Sequence, residues 1–115
     1  MQGGTERWLP LTALTYDVLL ALAEDACHGY GIIKEVERRS DGRTQLEAGT
    51  LYAAIKRMRD EGLIETASAP EEADSRRRYY CLTELGREVL RAESRRLESL
   101  VSAARSKNVL PEEAQ

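Results

Sequence analysis

Apolar positions divide the chain into four stretches with helical spacing and one short alternating region. Leu11 to Glu24 carries Leu14, Val18, Leu19, Leu20 and Leu22, which at about 100° per residue surround the axis instead of lining one stripe. A helix apolar on every side must be buried on every side, and in so short a chain a second copy is the expected cover. Thr12 suits its N-cap. Asp25 to Gly29 reads as a connection, and Tyr30 to Ser40 predicts a second helix with Tyr30, Ile33 and Val36 inward. Asp41-Gly42 supplies the turn. Ala48 to Glu61 predicts a third helix with Leu51, Ile55 and Met58 on its core face, ending at Gly62.

Leu63 to Ala67 alternates, and Arg78 to Leu82 is rich in strand formers, so the two predict a hairpin around the loop Ser68–Ser75. Thr83 suits the N-cap of a long fourth helix, Glu84 to Ser106. Leu90, Leu97 and Ala104 fall at heptad spacing on it, with Leu100 and Val101 beside them. The pairs Glu84/Arg87, Glu88/Arg91, Glu93/Arg96 and Arg95/Glu98 are expected on its wet side. Such a seam predicts packing against a partner helix. Leu14, Val18, Leu90, Leu97, Leu100, Val101 and Ala104 are therefore the expected homodimer interface.

The predicted fold is mainly α with a two-stranded β-hairpin: a winged helix-turn-helix plus a C-terminal dimerisation helix. The expected divisions are an N-terminal extension over 1–10, the winged domain over 11–82, the dimerisation helix over 83–107 and a flexible tail over 108–115.

That arrangement directs attention to the outer face of the third helix. A helix entering the major groove needs an apolar back and polar side chains toward its N-terminal half. Thr50, Tyr52, Lys56 and Arg57 meet that need, and a solvated helix face is the plainer alternative. Arg76, Arg77 and Arg78 stand where a wing grips a phosphate backbone or a minor groove, Arg78 being the least suited because it enters the strand. They also suit an edge guard, or partners for Glu71, Glu72 and Asp74. His28, the single histidine, suits either a DNA backbone contact or a local cap.

The net charge of −3 runs against the usual basic character of nucleic-acid binders. Its distribution matters more, since the basic residues gather on the third helix and the wing. The 115 residues hold no apolar run long enough to span a membrane and no recognisable export signal, so a cytoplasmic setting is expected. Cys27 and Cys81 lack C-x-x-C spacing and read as reduced packing residues, with a thiol switch as the alternative. No Gly-rich phosphate loop, nucleophile elbow or metal-ligand cluster is present, so neither catalysis nor a cofactor or metal is expected.

Four segments resemble the PadR family of transcriptional regulators in its short form with one C-terminal helix. They are Leu19-Leu20-Ala21-Leu22 with His28-Gly29-Tyr30; Gly49-Thr50-Leu51-Tyr52 through Ile55-Lys56-Arg57-Met58 to Gly62-Leu63-Ile64; Arg76 to Thr83; and Leu85-Gly86-Arg87. The resemblance implies a homodimer that binds double-stranded operator DNA through the third helix and wing, with repression relieved by a small-molecule effector. Glu47-Ala48 departs from the family's common Ser-Pro, and a lost cap costs about 1 kcal/mol. Trp8 is the one aromatic candidate for an effector site, with an apolar lid as the alternative. Aromatic drug-binding positions of the family's last helix have no counterpart here. A winged-helix protein-interaction module, or a ligand sensor without independent DNA binding, is the competing functional class.

Overall fold

The computed structural model describes residues 4–70 and 76–111. A single 3-10 turn, Glu6–Trp8, precedes α1, Ala13–Ala21. Next come β1 (Cys27–His28), α2 (Gly29–Arg39), α3 (Ala48–Asp60), β2 (Ile64–Ala67), β3 (Tyr79–Leu82) and α4 (Glu84–Ser106). Among the described residues no helix is long and apolar enough to cross a membrane.

α1 starts where Thr12 Oγ1 accepts the Thr15 N–H at 3.1 Å, as its side chain predicts. Val18, Leu19 and Leu22 are closed off completely by the chain's own fold, with α2 and α4 packed against α1. This corrects the expected role of Val18, which has no surface left for a partner. Leu90 is corrected for the same reason, being 7% exposed in the same core. Leu14 stays half-buried.

α2 buries Val36 as expected, but Gly29 and Ile32 take the inward places expected for Tyr30 and Ile33. The cause is Gly29, whose bare backbone lies so close to Tyr52 that a Cβ there would meet the phenol oxygen at 2.2 Å. A glycine takes the inward place and Tyr30 turns to the surface, 55% exposed. α3 buries Leu51, Ala54, Ile55 and Met58. Glu47 at its N-cap makes no side-chain capping bond, so the helix starts without the stabilisation a Ser there would add. Gly62, at φ +83°, then turns the chain into β2.

The sheet has three strands, not the two expected. β3 lies between β1 and β2, antiparallel to both, with Cys27 opposite Tyr80, His28 opposite Tyr79, and Ile64 opposite Leu82. Two residues are too few to show a period of two, so β1 looks like a connection in sequence.

Thr83 joins wing to α4. Its Oγ1 accepts the Gly86 N–H at 2.9 Å and donates toward the Gly62 and Leu63 carbonyls, while its own N–H donates to Leu63. Gly86 is the residue that allows this crossing, because a Cβ there would lie 1.9 Å from the Leu63 carbonyl oxygen. Val89 and Leu90 complete the core. Glu93, expected on the wet side, is 2% exposed. Its carboxylate accepts the Leu11 N–H at 3.0 Å and two Arg96 donors at 2.6 and 2.9 Å, fastening the N-terminal segment to α4. At the far end Asn108, at φ +63°, closes the helix as Val109 N–H reaches the Ala104 carbonyl.

Candidate nucleic-acid interface

α3 presents Thr50, Tyr52, Ala53 and Lys56 outward from a back that is wholly apolar. Lys56 Nζ rests 3.0 Å from Asp60, but both side chains are well exposed, so the pair is weak and open to competition. Arg57 behaves differently from its neighbour. Its Nη2 donates to Thr15 Oγ1 of α1 at 3.2 Å, and its Nη1 lies 3.6 Å from Glu61. Of the four residues assigned to α3's outer face, Arg57 is the one tied back into the fold; its guanidinium braces α3 against α1.

The start of α2, the outer face of α3 and the base of the wing enclose a cleft of about 500 Å³. His28, Tyr30, Tyr52, Arg76, Arg77 and Arg78 line it. The structure thus brings together four of the predicted site residues, His28, Tyr52, Arg76 and Arg77, and adds Tyr30 and Arg78. Lys34 Nζ stands 5.3 Å from the Tyr30 ring and the Arg77 guanidinium 5.8 Å from it. Among the described residues no carboxylate lines the cleft, and three arginines do. Glu71, Glu72 and Asp74, the alternative partners for the arginines, lie outside the described residues.

His28 ends β1 and caps α2. Its Nδ1 accepts the Gly31 N–H at 3.0 Å, so the local capping role is real. Its Nε2 faces Arg77 Nη1 at 2.9 Å, and its ring stands edge-on to Tyr79 at 5.2 Å. Burial, and then the neighbouring Arg77 charge, hold its pKa below the ordinary histidine value.

Residues 18–92 match the sequence model of the transcriptional regulator PadR-like family, well over half the chain. The chain belongs to the PadR-like family. A segment of 77 residues is 40% identical to an uncharacterized 37.1 kDa protein in transposon TN4556 of Streptomyces fradiae, covering 67% of this chain and 21% of that one. The chain thus spans about a fifth of that relative. A PadR family transcription regulator from Clostridium difficile R20291 superimposes with a TM-score of 0.67 at 27% identity, over 83% of this chain and 97% of that one. Bacillus subtilis PadR, in complex with operator DNA, gives a TM-score of 0.60 at 22% identity, over 70% of this chain and 46% of its own, a likeness of fold.

Away from the cleft, this PadR-like chain places Trp8 half-buried against the core, with Arg7 stacked 4.8 Å above its ring. A small cavity of about 180 Å³ adjoins Trp8 and is lined by Thr12, Thr15, Arg57 and Glu61 among others. Both readings of Trp8 therefore keep a structural basis, lid and cavity wall. Burial raises the thiol pKa of both Cys27 and Cys81, which disfavours the reactive thiolate and supports the packing role.

Proposed function

We propose that this PadR-like chain is a sequence-specific DNA-binding regulator that acts as a homodimer on a partly palindromic operator. The observation that carries the reading is the continuity of one surface: the polar face of α3 runs into the cationic cleft beneath the wing. α3 enters the major groove, with Thr50, Tyr52 and Lys56 toward the bases and phosphates and Arg76 and Arg77 on the flanking backbone. Two copies joined through Leu14, Leu97, Leu100, Val101 and Ala104 set their recognition helices about 34 Å apart, one turn of DNA. Occupying a promoter in this way represses it. A small-molecule effector, for which the cavity beside Trp8 is the candidate, changes the angle between the wings through α1 and α4.

Fluorescence anisotropy against a duplex from upstream of the chain's own coding sequence, at several salt concentrations, tests this. The expected result is affinity that falls steeply with salt and exceeds that for a scrambled duplex by about 10³-fold. Lys56→Ala should weaken binding and lower the salt slope by about one. Absence of binding favours the protein-interaction module, to which the net charge of −3 and the uncapped start of α3 already lend weight.

A further inference from the structure

Thr15, on the first turn of α1, is a polar side chain buried in the fold. A buried hydroxyl costs stability unless its hydrogen-bonding capacity is used. Its Oγ1 accepts from Thr12 Oγ1 at 3.0 Å and from Arg57 Nη2 at 3.2 Å, which occupies both lone pairs. One of those donors belongs to α3. Thr15 is also held from behind. Thr12 Oγ1 accepts its N–H at 3.1 Å, and Leu11, next to Thr12, donates its own N–H to Glu93 of α4. The first turn of α1 is thus fastened to α4 at the point where it meets α3.

α3 has few other references to α1. α2 packs against both helices, whereas α1 and α3 approach each other closely at few places. The start of α3 has no side-chain cap to fix it. Along the seam, Leu14 of α1 and Thr50, Ala53, Ala54 and Arg57 of α3 border an open hollow. The Arg57 guanidinium is nearly half exposed, yet it is engaged within the chain, with Thr15 through Nη2 and with Glu61 through Nη1. We propose that Thr15 and Arg57 form a positioning pair for DNA reading. The bond between them sets the roll of α3 about its axis, and with it the aim of Thr50, Tyr52 and Lys56. Operator discrimination then depends on a hydroxyl of α1 that is closed inside the fold. This inference rests on the DNA-binding reading above.

Thr15→Val and Thr15→Ser separate positioning from packing. Valine keeps the shape and loses the acceptor; serine keeps the acceptor and loses a methyl group. Anisotropy at several salt concentrations gives the preference for upstream over scrambled duplex. Loss of one charge-assisted bond bounds the effect, so Thr15→Val should lower that preference about tenfold at an unchanged salt slope. Thr15→Ser should retain it. Arg57→Met breaks the same bond from its exposed end and should lower the preference by a similar factor. On that background Thr15→Val should add little.

A preference kept by Thr15→Val overturns the inference and leaves the DNA reading intact. So does a preference lost in both Thr15 variants but kept in Arg57→Met, which makes Thr15 a packing residue. A salt slope lowered by about one in Arg57→Met, with Thr15→Val indifferent, places the guanidinium on a phosphate and overturns it too. If wild type binds no duplex, the DNA reading falls, and the pair is decided in the free chain by amide hydrogen exchange. Faster exchange along α3 in Thr15→Val but not in Thr15→Ser upholds it; equal exchange overturns it.

Discussion

The two halves of α4 share one apolar periodicity and meet opposite fates. From Glu84 to Glu93 the helix is spent inside the chain: Gly86 lies against the Leu63 carbonyl, Val89 and Leu90 fill the core, and Glu93 is sealed under the N-terminal segment. From Leu97 onward the same spacing continues into solvent, with Leu100 55% and Val101 38% exposed. Periodicity says that a face is apolar. It does not say whose surface covers it, and here one helix serves as core for half its length and as an uncovered apolar stripe for the rest.

The contrast can be broken most severely at Gly86. Because the Leu63 oxygen is already held by Thr83, it cannot retreat from a methyl group, and Gly86→Ala should destabilise the fold by about 3 kcal/mol in urea denaturation. A loss below about 1 kcal/mol would mean that α4 crosses β2 less tightly than described.

Glu93 is the next point. Glu93→Gln keeps an acceptor for Leu11 but loses the charged bonds to Arg96, and should cost about 2 kcal/mol at pH 7. The Arg96 bonds, helped by the Leu11 N–H and opposed by burial, hold the Glu93 carboxyl below its ordinary value of 4.5. The folded chain therefore takes up this proton later than the unfolded chain on acidification. The stabilisation is present above pH 4.5 and is lost as pH falls through the lower folded value, so the gap between wild type and Glu93→Gln should narrow on acidification below pH 4.5. A constant gap across that range would remove the ion pair from the explanation.

The distal half should respond least. Leu100→Asp with Val101→Asp, both at exposed positions, should change stability by under about 0.5 kcal/mol per site in dilute chain. Under the homodimer proposal the same double change halves the mass seen by light scattering. An unaltered mass would take this stripe out of the interface.

Which parts of this molecule were legible in its sequence follows from how local their causes are. Thr12 and Thr83 could be read as caps because a cap is settled within four residues, and α3 because its apolar back and polar front alternate along one helix. Glu93 could not be read, since among several Glu/Arg pairs at the same spacing only the distant Leu11 singles it out. The inward turn of Gly29 and outward turn of Tyr30 depend on Tyr52 of another helix, and so does the cleft they border. Arg57 and Lys56 are adjacent and alike in sequence; the contact with Thr15 is what separates a brace between helices from a cation paired only within its own helix.

The shortness of β1 has a consequence for how copies of this chain behave in company. A sheet edge with unpaired N–H and C=O groups invites strands from other molecules, and β3, rich in tyrosine and leucine, would be an attractive template. Instead β3 is the middle strand, flanked by β2 and, along Tyr79 and Tyr80, by β1. What β1 turns outward is an edge only two residues long, bounded at once by a helix. On that side the strand best suited to aggregation is shielded by one too short to seed it.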